Sequence, residues 1–277
     1  MATRQRTRRR TGGAGQGARR WPWVAALLAA AAVVGLVALR EGGEGSAAPV
    51  LRPEVVAQYP HDTLAFTQGL LVEGGAVYES TGLYGRSSLR RVDLATGRVV
   101  ASRSLGDGDF AEGLAALDGR LYQLTWRQGR VYVADVQTLA PLDTLPLAGE
   151  GWGLTEDGRH LILSDGSDRL RVLDPATLAV VRTVEVRDGG RPVPRLNELE
   201  YVDGLVYANV WQTGRIAAVD PQSGAVVRWL DLGTLHTLHT GTGRDVLNGI
   251  AHDPATGHLL VTGKLWPSVY AVEVPAE

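Results

Sequence analysis

From about residue 50 onward, one pattern of polar and apolar positions recurs five times. A polar or aromatic residue leads into Gly or Glu and then Leu or Ile. A turn, an apolar run, a polar stop and a second run ending near Asp follow. The copies are QGLLVEGGAVYEST from Gln68, EGLAALDGRLYQLTW from Glu112, WGLTEDGRHLILSDG from Trp152, NELEYVDGLVYANVW from Asn197 and NGIAHDPATGHLLVTGK from Asn248. Their starts are 44, 40, 45 and 51 residues apart. A later landmark repeats as well, at Asp93, Asp135, Asp174 and Asp220, each followed within a few residues by Thr or Ser. Asp binds its own backbone there, so these are turns. Each copy holds three or four short runs with period-2 alternation or β-branched enrichment, such as VVRTVEV from Val180, which read as strands. Four strands repeating every 40–50 residues are the signature of a propeller. Five copies predict an all-β, five-bladed propeller over residues 50–277. The fifth copy has only three strands, and EVVAQY from Glu54 stands alone before the first. We expect this strand to complete the last blade and close the ring, removing open sheet edges. An open sandwich is the alternative, but unrelated domains would not share one register.

Composition supports this picture and adds a second region. There are 35 Gly, 2 Phe and no Cys in 277 residues. Many glycines without a collagen period mean many turns, and the absence of Cys excludes disulfides and thiolate chemistry. A net charge of −2 gives no reason to expect nucleic acid as a partner. The average hides a basic start, with seven arginines and no acid in the first 20 residues. Residues 21–39 then run without a charge, long enough as a helix nearly to cross a bilayer. Arginines before an apolar run place the N-terminus in the cytoplasm. We expect a cytoplasmic tail over 1–20, a transmembrane signal-anchor helix over 21–39, a flexible linker over 40–49, and the propeller outside the cytoplasm in the cell envelope. A cleaved signal peptide is the alternative, although its apolar stretch is shorter as a rule.

In an antiparallel blade the first strand starts at the edge where the second one ends. Gln68, Glu112, Trp152, Asn197 and Asn248 therefore form a ring on one rim. Glu79-Ser80, Thr125-Trp126, Ser164-Asp165, the stretch from Asn209 to Trp211, and the stretch from Thr262 to Lys264 join them. Scaffold positions repeat from copy to copy, whereas these differ, as a site built on a symmetric frame must. Trp126, Trp152, Trp211 and Trp266 read as a stacking surface on this rim. Glu112, between Phe110-Ala111 and Gly113-Leu114, reads as a partly desolvated carboxylate suited to acid/base work. Glu200 reads as a solvated or inter-blade charge. The six histidines show no ligand spacing beyond the His236/His239 pair. That pair lies in an insertion over residues 233–245, read here as a loop above the rim.

Eight segments in order carry a resemblance: FTQGL from Phe66, YESTGLYGRSSLRRVDLATG from Tyr78, FAEGL from Phe110, LTW from Leu124, GEGWGLT from Gly149, LNELEYVDGLVYANVW from Leu196, VLNGIA from Val246 and VTGKLWP from Val261. Together they resemble the glutaminyl cyclases of the plant and bacterial type, over nearly all of 50–277. The resemblance implies an enzyme, a glutaminyl-peptide cyclotransferase converting N-terminal Gln of peptides to pyroglutamate with release of ammonia. It places the acid/base role on Glu112 and substrate contacts on Phe66, Gln68, Trp126, Trp152, Asn197, Trp211 and Lys264. It implies no cofactor for catalysis and allows a structural divalent cation in the central channel, held largely by backbone oxygens. Asn197, Lys264, Gln68 or an indole N–H would stabilise the oxyanion. We expect a monomer. Two other readings are a non-catalytic binding module of the envelope and a metal-dependent propeller hydrolase. The first needs no poised carboxylate, and the second needs acidic or Asn side chains converging on the channel.

Overall fold

The computed structural model describes residues 46–240 and 246–275. The expected basic tail, the apolar 21–39 segment and most of the expected linker lie outside the described residues. Five four-stranded antiparallel sheets form the ring. Blade 1 comprises Thr67–Glu73, Ala76–Thr81, Ser88–Asp93 and Arg98–Ser104; blade 2 comprises Ala111–Leu117, Arg120–Thr125, Arg130–Asp135 and Pro141–Pro146. Blade 3 is Leu154–Glu156, Leu161–Ser164, Arg169–Leu173 and Val180–Glu185, and blade 4 is Leu196–Val202, Leu205–Val210, Arg215–Val219 and Val226–Asp231. Blade 5 takes Leu247–His252, Leu259–Gly263 and Ser268–Glu273 from the end of the chain and its fourth strand, Glu54–Pro60, from before blade 1. That strand pairs antiparallel with Ser268–Glu273, Glu54 opposite Glu273 and Pro60 opposite Ser268. The ring thus closes as the lone EVVAQY run predicted.

The first strands of successive blades pack against one another around the axis, blade 5 meeting blade 1. Side chains on both faces of these strands are therefore enclosed, and Thr67–Leu71 is buried throughout. The fourth strands flank solvent, and Arg98–Ser104 alternates exposed and half-buried. The apolar core lies between the blades. One cluster joins Leu71, Tyr78 and Leu89 of blade 1 to Leu114, Leu121 and Ala134 of blade 2. Equivalent clusters fill the other four seams. Each fully buried Leu contributes about 1.5–3 kcal/mol, so every blade depends on its two neighbours.

A carboxylate reinforces the centre. Gly69, Gly113, Gly153 and Gly249 occupy equivalent positions, where blade 4 has Glu198. At the first three, a Cβ would strike backbone of the next blade, at Leu114 N, Leu154 N and Asn197 O. Glu198, fully buried, instead reaches two other blades. Its Oε1 accepts Leu70 N–H of blade 1 at 3.2 Å and its Oε2 accepts Ile250 N–H of blade 5 at 2.7 Å. At the closing seam, His61 bonds Trp266 O through Nδ1 (2.9 Å) and Glu79 through Nε2 (3.0 Å).

Several details depart from expectation. Val50–Leu51 adds a short parallel strand to Trp229–Leu230 on blade 4. Ala48 N–H already donates to Asp188 at 2.7 Å, so the end of the expected linker is docked. Arg187–Asp188 and Arg191–Pro192 form a small hairpin. The 233–245 insertion contains a helix, Gly233–Thr240, where a loop was expected. Asp231 accepts Gly233 N–H at its start, and Leu235 and His239 are buried beneath it. Residues 241–245 lie outside the described residues. Among the described residues no helix is long and apolar enough to cross a membrane.

Candidate active site

The rim is built by bulges. In blades 1, 2, 4 and 5 the pairing of first and second strands shifts register at one equivalent place: Thr67/Gly69, Ala111/Leu114, Leu196/Leu199 and Leu247/Ile250. A bulge bends its strand and re-aims a side chain. The residues it frees are Gln68, Glu112, Asn197 and Asn248. In blade 3 the strand proper starts later, and Trp152 N–H donates to Ser164 O at 2.9 Å instead.

Phe66, Gln68, Phe110, Glu112, Trp126, Trp152, Asn197, Trp211 and Lys264 line one cavity of about 330 Å³. All eight residues named from the sequence are therefore brought together. The ninth, Phe110, was not foreseen, although a signal existed. The two phenylalanines stand at equivalent places, each two residues ahead of Gln68 or Glu112. Its ring meets Phe66 edge-on at 6.1 Å and Trp126 at 5.7 Å between centroids. Trp152 and Trp211 meet edge-on at 5.7 Å.

Polar groups gather at Glu112, which is buried. Its Oε1 accepts Gln68 Nε2–H at 3.0 Å. Gln68 Oε1 in turn accepts Asn248 Nδ2–H at 3.1 Å, and the same amide donates to Thr67 O. The fifth ring residue thus orients the first rather than lining the cavity. Burial pushes the Glu112 carboxyl well above its ordinary value; the nearby Lys264 cation opposes this and the Glu150 charge adds to it. Lys264 is itself buried, with Nζ 4.7 Å from the Phe66 ring centre. Asn197 Oδ1 is buried without a hydrogen-bond partner among the described residues.

Other rim residues serve as supports. Asn209 Oδ1 accepts Gly249 N–H, and Ser164 Oγ donates to Asn197 O. Trp266 is not on the rim. It is fully buried, its ring tilted by 35° against His239 at 4.3 Å between ring centres. Leu265 adopts φ 62°, which turns the chain back beneath Gly263. His239 bonds Tyr270 Oη at 2.9 Å, a packing role. Glu200 is partly enclosed, accepts His252 N–H at 2.8 Å, and is raised to about 8 by burial.

A buried acid next to a cation, inside an aromatic box too small for a whole peptide, suits proton transfer on one small side chain. Comparison with known proteins agrees. The family model for glutamine cyclotransferase matches residues 27–274. A glutaminyl-peptide cyclotransferase of Arabidopsis thaliana is 44% identical over 228 residues, 80% of this chain and 71% of the relative. The crystal structure of Myxococcus xanthus glutaminyl cyclase aligns with a TM-score of 0.78 at 37% identity, covering 82% of this chain and 98% of that one. The chain belongs to the glutamine cyclotransferase family.

Proposed function

We infer that the protein converts the N-terminal glutamine of peptides and proteins to pyroglutamate, releasing ammonia. The observation that carries this reading is Glu112, buried in an aromatic cavity with its carboxyl group oriented by Gln68. The substrate α-nitrogen attacks its own side-chain amide carbon. Glu112 takes the proton this nitrogen sheds as the new C–N bond forms. It returns that proton to the departing nitrogen as the old C–N bond breaks, so the carboxyl ends as it began. A carboxyl whose pKa burial has raised does both tasks better than an ordinary one. The aromatic walls fold the glutamine side chain back on its own amine, an orientation effect.

Among the oxyanion candidates, Lys264 is the charged one. Gln68 donates to Glu112, and the Trp126 and Trp152 N–H groups donate to Glu150. Asn197 brings an unpaired acceptor, suited to a substrate N–H. Lys264 is the cation lining the cavity and takes the oxyanion role. The sequence of bond changes needs no cofactor. For a channel cation, among the described residues no three acidic or His side chains converge. Glu198 already spends both oxygens on backbone N–H groups. A site built largely of backbone oxygens does not depend on such side chains, and no step of the reaction runs through a channel cation.

The arginines before residues 21–39 support an envelope enzyme, membrane-anchored and working outside the cytoplasm. Protease accessibility in intact cells tests that placement. The activity is tested by incubating the purified protein with Gln-initiated peptides and following the mass. Loss of one ammonia from Gln peptides, and none from Asn peptides, is expected. No loss from any Gln peptide overturns the reading.

A further inference from the structure

Behind the cavity, one carboxylate ties two of its walls together. Glu150 Oε2 accepts the indole N–H of Trp126 at 3.0 Å and that of Trp152 at 3.1 Å. Its Oε1 accepts Arg127 Nε–H at 2.8 Å. The Arg127 guanidinium lies over the Trp126 ring, 3.8 Å from its centre, and closes the cluster from outside. The backbone is held as well. Arg171 donates to Glu150 O and to Ala148 O, both at 2.7 Å, and Gly151 N–H donates to Trp126 O at 3.1 Å. Glu150 itself does not line the cavity.

The two indoles come from different blades, Trp126 from the end of a blade 2 strand and Trp152 from the approach to blade 3. Backbone pairing within a blade does not fix one ring against the other. A shared acceptor does, because an indole has a single N–H, lying in the ring plane, and bonding it limits how the ring can turn. We propose that Glu150 is a positioning residue: it clamps Trp126 and Trp152 into one rigid wall shaped to the glutamine side chain. This rests on the cyclase reading of the cavity.

The clamp has an electrical side. Although its partial burial works upward, two indole N–H groups and the Arg127 guanidinium hold Glu150 below the ordinary carboxylate range. It is therefore a fixed negative charge. The charged groups that face Glu112 are Lys264 and Glu150, with opposite effects. Replacing Glu150 by a neutral group removes the influence that favours the protonated form of Glu112. The limb of the pH–rate profile that reports Glu112 then moves to lower pH.

The test compares the full chain with Glu150→Gln in steady-state kinetics on a Gln-initiated peptide across pH. A charge-assisted bond lost from a binding wall raises KM about tenfold, with kcat at its pH optimum changing much less. The Glu112 limb shifts down. Trp126→Phe keeps a ring but removes the N–H, so its effect and that of Glu150→Gln fall short of additive when combined. Strict additivity, or a Glu150→Gln protein with wild-type KM and pH limb, overturns the proposal. Should the wild-type protein cyclise no Gln peptide, the functional reading fails and the clamp is read separately. Glu150→Gln then still shifts tryptophan emission and Trp126→Phe reduces that shift to the part Trp152 contributes; unchanged emission rejects the clamp itself.

Discussion

Two buried carboxylates, Glu112 in blade 2 and Glu198 in blade 4, stand one position apart in the repeat and do different work. Burial raises both well above the ordinary carboxylate value. Glu198 has each oxygen on a backbone N–H of another blade and is sealed from solvent. Glu112 has one side-chain amide on one oxygen and opens on a cavity. A raised pKa therefore does not identify the reacting acid. What separates the two is the partner, fixed backbone in one case and an adjustable amide in the other, together with access.

The largest effect expected on this contrast is that of Glu112→Gln. Removing the proton shuttle lowers kcat by about 10²–10⁴-fold, with melting temperature and peptide binding kept. Near wild-type turnover would erase the distinction. Glu198→Ala should do the reverse. It leaves two buried donors unpaired at about 1–3 kcal/mol each, seen in denaturant unfolding, while the folded fraction keeps its kcat. Lys264→Met comes next, lowering kcat about 10²-fold and moving the Glu112 limb to higher pH because a cation favouring the carboxylate is gone. A limb that moved the same way in Lys264→Met and Glu150→Gln would disprove the electrostatic account.

The smallest effect concerns stability against pH. Glu200 is raised from 4.5 to about 8, so across that window the native state holds a proton that the unfolded chain releases. Stability falls as pH rises through it. Glu200→Gln should flatten the slope of melting temperature against pH. Part of the slope remains, because His61, Glu112 and Glu198 are raised as well. For His61 burial acts downward, but Glu79 and the Trp266 carbonyl outweigh it.

The ring was legible because its scaffold repeats. Asp93, Asp135 and Asp174 each accept the N–H and hydroxyl of a Thr three residues on, a local bond that sequence displays directly. The site was legible where the repeat is broken, at Gln68, Glu112, Trp152 and Asn197; Phe66 came only through the resemblance. What escaped depended on contacts between distant segments. Nothing local says that Glu150 meets Trp126, 24 residues away. Trp266 lies two residues beyond Lys264, yet one left-handed residue sends it to the other side of the strand end. The helix at Gly233–Thr240 is rich in Thr and His, weak helix formers, and is held by docking of Leu235 and His239.

Glu198 also gives the molecule an internal clock. The amides of Leu70 and Ile250 sit in different blades, 180 residues apart in the chain, yet both are covered by one side chain from a third. Neither can trade its hydrogen for deuterium until that carboxylate withdraws from the centre of the ring. Their exchange should thus be slow, and slow together, reporting the opening of the ring rather than the fraying of any one blade.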